Sequence, residues 1–331
     1  MQNGMILVTG GAGFIGSNLV AALEARGIQV AVCDRLGSGE KWKNLAKREL
    51  AAFVEPEGLA HFLERHRDAL AAIFHLGAVS ATTERDADLI VRTNFTLSQL
   101  LWDWCCEHGT RFFYASSAAA YGDGSAGFDD DAGIAALARL RPMNPYGWSK
   151  LLFDRRIARI LSEGGRRPPQ WVGLRFFNVY GPNEYHKGAM RSVAKQVHER
   201  LAAGEPAILF RSHHPDYPDG GQLRDFVWVG DCVDAMVWFY GHEEASGLFN
   251  LGTGKARSFG DLARAVATAL GKEAEVRYVD TPAEIRARYQ YFTQARTARL
   301  RAAGYARPFT ELEDGIARYV KDYLGAPDPY L

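Results

Sequence analysis

A phenol and an ammonium stand four residues apart in Tyr146-Gly-Trp-Ser-Lys150. At that spacing the two side chains share one face of a helix. A phenol with a pKa of about 10 is a poor base at neutral pH, and a neighbouring cation favours its phenolate and brings it toward the working range. Upstream, Ala115-Ser-Ser117-Ala-Ala-Ala-Tyr-Gly122 ends a short apolar run, which delivers Ser117 at a strand tip. Its hydroxyl can hydrogen-bond a substrate hydroxyl or the ketone that develops from it. Tyr-x-x-x-Lys recurs by chance, and serines at strand ends are commonly caps, so neither signal is specific alone. Together they describe proton exchange at a carbinol.

The oxidant for such chemistry is implied near the N-terminus. Gly10-Gly-Ala-Gly13-Phe-Ile-Gly16 follows an apolar strand and opens a helix. Glycines three apart let the backbone turn sharply and approach a pyrophosphate, whose charge sits at the helix N-terminus. The spacing differs from the usual G-x-G-x-x-G, and its place between strand and helix gives it weight beyond a plain glycine-rich turn. Phe14 and Ile15 lie within it. Asp34 ends the second strand, where a ribose-binding acid belongs, and alone it suggests NAD. Arg35 and Lys41 follow, and either can pair with a 2′-phosphate, so these residues leave NAD and NADP open. The turn His75-Leu76-Gly77-Ala78-Val79-Ser80 suits a second contact along the cofactor, or simply a tight helix entry.

The elements that must position these groups alternate regularly. Met5–Val8, Val30–Cys33, Ala72–His75, Phe112–Ala115 and Trp171–Phe176 read as buried strands, and Asp225–Val229 is strand-like. Between them, Phe14–Arg26, Glu57–Asp68, Ala87–Asn94, Thr96–His108 and Gly147–Ser162 have helix length. This order predicts an α/β fold, a Rossmann-type doubly wound parallel sheet. Residues 181–224, rich in His, Pro, Gly and Asp, break the rhythm and read as a substrate-facing part with much loop. Ser258-Phe-Gly-Asp261 and Thr310-Glu-Leu-Glu313 carry helix-capping chemistry, the first opening Leu262–Leu270. The expected division is residues 1–178 plus about 225–254 for the cofactor, and about 179–224 plus 255–331 as a smaller C-terminal substrate-binding domain.

Composition narrows the class. A chain of 331 residues with 47% apolar and 12% aromatic residues excludes disorder and can bury a large core. Lys+Arg and Asp+Glu balance at 39 each, which argues against a nucleic-acid partner. Cys33, Cys105, Cys106 and Cys232 form no metal or redox spacing, so a reduced, cytoplasmic setting is expected. No apolar run is long enough for a membrane helix, and no signal peptide is read. His213, His214, Asp216 and Asp219 lie in a Pro/Gly loop without ligand spacing, so no metal is expected.

In order, the glycine turn, Ser-Ser-x-x-x-Tyr-Gly, Tyr-x-x-x-Lys, Arg175-Phe-Phe-Asn-Val-Tyr-Gly-Pro182, Arg224-Asp-Phe-Val-Trp-Val-Gly-Asp231 and Asn250-Leu-Gly-Thr-Gly254 resemble the extended short-chain dehydrogenase/reductase superfamily. Its members act on nucleotide sugars. Ala118 and Ala119 stand where its dehydratases carry an acidic pair. His186-Lys-Gly188, Tyr289-Gln-x-Phe-Thr-Gln294 and Leu300-Arg-Ala-Ala-Gly-Tyr305 are similar to the ADP-L-glycero-D-manno-heptose 6-epimerase branch.

That resemblance implies tightly bound NADP and transient oxidation of an ADP-heptose at carbon 6, for lipopolysaccharide or surface-glycan synthesis. It gives Lys187, otherwise a solvated loop lysine, the role of a second acid/base opposite Tyr146. It further implies Asn94, Lys150 and Val179 along the cofactor, and Asn178, Ala189, Gln196, Phe210, Arg224 and Tyr289 with Ser117 around the substrate. Arg224 suits a diphosphate; otherwise it would pair with Asp225. The resemblance also implies a homo-oligomer, a pentamer. Leu76, Ala189, Gln196 and the Phe210–Leu223 stretch depart from the branch. A different nucleotide sugar, or a non-catalytic NADP-binding module, are the alternatives; Ser117, Tyr146 and Lys150 argue against the second.

Overall fold

The computed structural model describes residues 4–286 and 289–331. The first six strands are β1 (Met5–Thr9), β2 (Val30–Cys33), β3 (Ala52–Val54), β4 (Leu70–His75), β5 (Arg111–Ser117) and β6 (Trp171–Phe176). The next six are β7 (Asn178–Tyr180), β8 (Ala207–Phe210), β9 (Leu223–Trp228), β10 (Gly247–Leu251), β11 (Ala256–Ser258) and β12 (Val276–Val279). Seven of them form one parallel sheet in the order β10-β6-β5-β4-β1-β2-β3. The chain winds outward from β1 through β2 to β3, then crosses back to β4. The reversal between β1 and β4 opens a crevice beyond the carboxyl ends of the strands.

The near-continuous apolar runs follow from burial on both faces. Leu7, Ile73, Phe112 and Tyr114 point into one core, while Ile6, Val8, Phe74 and Phe113 point into the other. Helices Phe14–Glu24 and Val229–Gly241 pack together over the second face. Helix Pro145–Ser162 covers β5 on the first. The two helices expected over 87–108 are one continuous run, widened into a looser turn at Val91–Thr96 and ended by Gly109 with φ +66°.

Residues 181–224 hold more structure than their composition suggests. They contain helix Val193–Ala202 and strand β8, beside loop. Ala194, Val197 and Leu201 line one helical face and join Leu262, Val266, Leu312, Ile316 and Tyr319 in a third core. The His/Pro/Gly-rich portion masked this shorter amphipathic signal. Two small sheets lie here, β11-β9-β7 and β12-β8.

Of the two expected helix caps, one forms. Ser258 and Asp261 make a reciprocal capping box, and the helix starts at Phe259, ahead of the expected Leu262. Thr310 caps nothing: its hydroxyl donates to Asp231 at 2.8 Å and its N–H to the same carboxylate at 2.7 Å. The following helix begins at Leu312 without a side-chain cap. A carboxylate poor in water outcompetes the helix end for this threonine.

Helix Pro145–Ser162 is fixed to the sheet by Asp154. Its carboxylate accepts from Arg175 Nη2 at 2.8 Å and Nε at 3.0 Å, from Ser116 Oγ at 2.9 Å and from the Tyr114 hydroxyl at 3.1 Å. Both members of the ion pair are wholly buried. Removing one partner of such a pair strands a charge in the core. Asp154→Ala is therefore expected to lower stability by about 3–5 kcal/mol. Urea unfolding should show a reduced midpoint with an unchanged slope.

Candidate active site

The glycine turn has the shape its spacing implied. Gly10 has φ +69°, and a Cβ there would come within 2.6 Å of the Gly77 backbone. A Cβ on Gly16 would sit 2.1 Å from the Gly10 carbonyl oxygen. Helix Phe14–Glu24 starts at Gly13 with no side-chain cap and no acid in its first turn. Its leading N–H groups suit an anion, and the cradle fits a dinucleotide pyrophosphate. Gly10, Gly13, Phe14, Ile15 and Gly16 all line a cavity of about 510 Å³.

Asp34 lines the same cavity from the end of β2. Its carboxylate accepts from the Ala12 N–H at 2.9 Å and from Lys41 Nζ at 2.6 Å. Leu76, Gly77, Ala78, Val79 and Ser80 form another wall, and Val179 closes it. Two expected cofactor residues do not line it. The exposed Arg35 guanidinium pairs with Glu57. Asn94 is buried behind the wall, where its amide holds both the N–H and the carbonyl of Val79 and also donates to Ser149.

Ser117, Tyr146 and Lys150 meet in this cavity. Asn144 caps the helix through the Gly147 N–H at 2.8 Å, and Pro145 at its first turn needs no N–H partner there. The i, i+4 spacing places Lys150 Nζ 6.0 Å from the Tyr146 ring centre. Burial pulls the Lys150 ammonium down to about 8, and Asp154 one turn away opposes this. Burial also pushes the Tyr146 phenol above its ordinary value, while Ser117 acts to lower it. Ser117 is half-committed locally, its Oγ accepting the Ala119 N–H at 3.1 Å.

Lys187 reaches the same cavity from the Tyr185–Met190 turn, with Nζ 5.5 Å from the Phe14 ring centre. Desolvation lowers its pKa, and Glu184 raises it. The turn is strongly anchored. Buried Glu184 accepts from Ser192 Oγ at 2.7 Å and from the Tyr319 hydroxyl at 2.9 Å. Asn44 donates to the carbonyls of Ala12 and Asn183 at 2.9 and 3.0 Å and touches His186 at 3.2 Å, joining the glycine turn to the lysine turn. Sequence reading missed Glu184 and Asn44, because their partners are remote along the chain.

A second cavity, about 520 Å³, adjoins the first through Ser117, Tyr146, Phe176 and Phe177. Asn178, Arg224 and Tyr289 line it. Arg224 is buried, with its guanidinium 5.3 Å from the Tyr289 ring centre and 5.5 Å from that of Phe259. It makes no ion pair with Asp225, whose carboxylate instead accepts from Thr253, Gly254 and Ala295. Gln196 and Phe210 lie in a third hollow of about 390 Å³ that shares Tyr289. Ala189 is exposed and lines none of the three. Thr82, Thr83, Glu84 and Arg85 in the second cavity were not anticipated. Their position after a sheet strand was the available signal.

Residues 6–252 match the model of the NAD dependent epimerase/dehydratase family. The chain belongs to that family. A Nitratidesulfovibrio vulgaris (strain DP4) protein named ADP-L-glycero-D-manno-heptose-6-epimerase is 49% identical over 99% of this chain and 100% of its own length. The Helicobacter pylori structure of that name is 30% identical with a TM-score of 0.79, covering 97% of this chain and 96% of the other. The Thermus thermophilus UDP-glucose 4-epimerase, solved with NAD, is 29% identical with a TM-score of 0.76 over 97% and 99%. A nicotinamide dinucleotide is thus the family's cofactor, and the glycine cradle fits one. No helix among the described residues of this epimerase-family chain is long and apolar enough to cross a membrane.

The glycine cradle and two buried histidines each lead to an expected outcome. Gly16→Ala should abolish dinucleotide binding in a fluorescence titration, because its Cβ meets backbone that cannot give way. The second concerns pH. Burial holds His75 down at about 3 and His186 at about 4, from an ordinary value of 6.5. Both imidazoles are neutral in the fold and gain protons on unfolding. The stability these two groups contribute is complete above pH 6.5 and falls as pH drops toward 3–4. His75 alone should give a slope approaching about 1.4 kcal/mol per pH unit in that window. His75→Gln should flatten the slope of urea stability against pH.

Proposed function

We propose that this chain is an NADP-dependent epimerase that inverts carbon 6 of ADP-D-glycero-D-manno-heptose, giving the L-glycero epimer as a precursor for lipopolysaccharide. One observation carries the reading: two proton-exchanging groups, Tyr146 and Lys187, enter one cofactor cavity from different elements, with Ser117 beside the first. The names of the Nitratidesulfovibrio and Helicobacter relatives supply the sugar.

The carbon to be inverted bears no acidic hydrogen, so it must pass through a ketone and be reduced on its other face. The bound nicotinamide supplies the hydride acceptor and donor. Tyr146 and Lys187 each exchange the carbinol proton of one epimer. Ser117 hydrogen-bonds the hydroxyl and the ketone oxygen. Lys150 holds the nicotinamide ribose and, in its charged form, favours the Tyr146 phenolate. Arg224 clamps the diphosphate bidentately. In this reading residues 1–178 and about 225–254 serve the cofactor and the remainder serves the sugar nucleotide. The assembly is a homopentamer in the cytoplasm, which light scattering can check for its stoichiometry.

The preference for NADP rests on Lys41, which lies beside Asp34 in the cavity and neutralises it. A 2′-phosphate gains a charge-assisted bond there. Lys41→Ala should weaken NADP⁺ binding about tenfold or more and NAD⁺ binding much less, read by calorimetry.

Another nucleotide sugar is the second reading, favoured by the loop between β8 and β9. From it Tyr217 packs tilted against Tyr291, which meets Tyr289 edge-on, with ring centres 5.3 and 5.2 Å apart. An NMR time course with ADP-D-glycero-D-manno-heptose and no added cofactor separates the two. Conversion without net NADPH supports the heptose; no conversion even with NADP⁺ supplied removes it. Tyr146→Phe should cut turnover by about 10²–10⁴-fold while cofactor binding stays intact. Parallel loss of both would refute the role given to Tyr146.

A further inference from the structure

We propose that Glu84 is an acceptor for sugar hydroxyls in the substrate cavity, an inference that rests on the nucleotide-sugar reading above. Glu84 lies on the turn that leaves β4, and it lines the second cavity together with Ser117, Tyr146 and Asn144. Strand order explains its place. β4 is the direct neighbour of β5, so the turn after β4 stands beside the strand tip that carries Ser117. Arg224 and Tyr289 come from β9 and the later chain. The carboxylate and the guanidinium thus enter the one cavity from separate elements.

The side chain is already oriented. Oε1 accepts from the Arg85 N–H at 2.7 Å and the Asp86 N–H at 2.8 Å, and the Glu84 N–H donates to the Ala81 carbonyl at 3.2 Å. Among the described residues, nothing donates to Oε2. The following helix does not need this carboxylate, since Asp86 caps it through the Leu89 N–H at 2.9 Å. A half-buried carboxylate with one oxygen fixed and one open binds hydroxyl donors well and repels phosphate. Within a nucleotide sugar, the dense source of hydroxyl donors is the sugar. No rotamer freedom at Oε1 is left to lose on binding, which favours affinity.

The test uses NADP-loaded protein and two probes, ADP-heptose and ADP, titrated by calorimetry alongside steady-state kinetics. Glu84→Ala should weaken ADP-heptose binding and raise KM by about 10- to 100-fold, the range for a hydrogen bond to a charged group. Glu84→Gln keeps the Oε1 contacts and should show a smaller loss. ADP lacks the sugar, so its affinity should stay within about twofold in both variants. NADP⁺ binding should be unaltered. Equal weakening of ADP and ADP-heptose would overturn the inference, placing Glu84 at the nucleotide or in a purely local role. Wild-type affinity for ADP-heptose in Glu84→Ala would overturn it too. Wild-type protein that neither binds nor converts ADP-heptose would instead bring down the heptose reading, and the Glu84 assignment with it.

Discussion

A single buried carboxylate organises the reacting end of this fold. Asp154 lies one turn beyond Lys150 and two beyond Tyr146, and it gathers Arg175, Ser116 and Tyr114 from β6 and β5. Burying an ion pair is costly unless its geometry is good and its remaining valences are filled. Here Asp154 receives four hydrogen bonds, and the Arg175 guanidinium lies 4.6 Å from the Tyr121 ring centre. One consequence is register. The helix cannot slide or rotate on the sheet without stranding those donors, so Tyr146 and Ser117 keep their relation. Another is electrostatic, because the same carboxylate supports the charged form of Lys150 against desolvation.

The opposite wall depends on a comparable device. Lys187 sits on a short turn, and short turns are mobile unless tied down. Glu184 ties this one to Ser192 and Tyr319, while Asn44 ties it to the glycine turn. Asn183 adds a bond from its amide to Ser17 Oγ at 3.0 Å on the cofactor helix. The turn that carries Lys187 is therefore tied to the glycine turn and its helix. Under the proposed function, fixing Lys187 and Tyr146 relative to the cofactor matters more than fixing them to each other.

The substrate side follows a different logic. Arg224 is held between Tyr289 and Phe259 rather than by a carboxylate. An aromatic cage keeps the guanidinium in place without neutralising it. Glu84 reaches a similar state by another route, spending one oxygen on backbone and keeping the other open. Both are polar groups oriented before any ligand arrives.

Local spacing determined much of this. Glycines three residues apart after a buried strand allow only a tight, amide-rich turn, and Tyr146 and Lys150 at i, i+4 must share a helical face. Five apolar runs marked the sheet's inner strands, because a parallel strand buried on both faces has few polar positions. The edge strand β3 went unread although residues 50–54 are all apolar, since only three residues of it pair, and the helix within residues 181–224 was hidden beside a Pro/Gly-rich loop. Thr310 shows the limit of local chemistry, since Asp231 takes the hydroxyl that would have capped a helix. What only the tertiary structure decided are the pairings between remote polar residues: Asp154 with Arg175, Glu184 with Tyr319, Asn44 with Asn183, and Glu84 beside Ser117. None of these pairings is marked in the local sequence of either partner. Burial makes the partner obligatory, and which partner is near is settled by how the strands are ordered, a property that no local stretch of the chain contains.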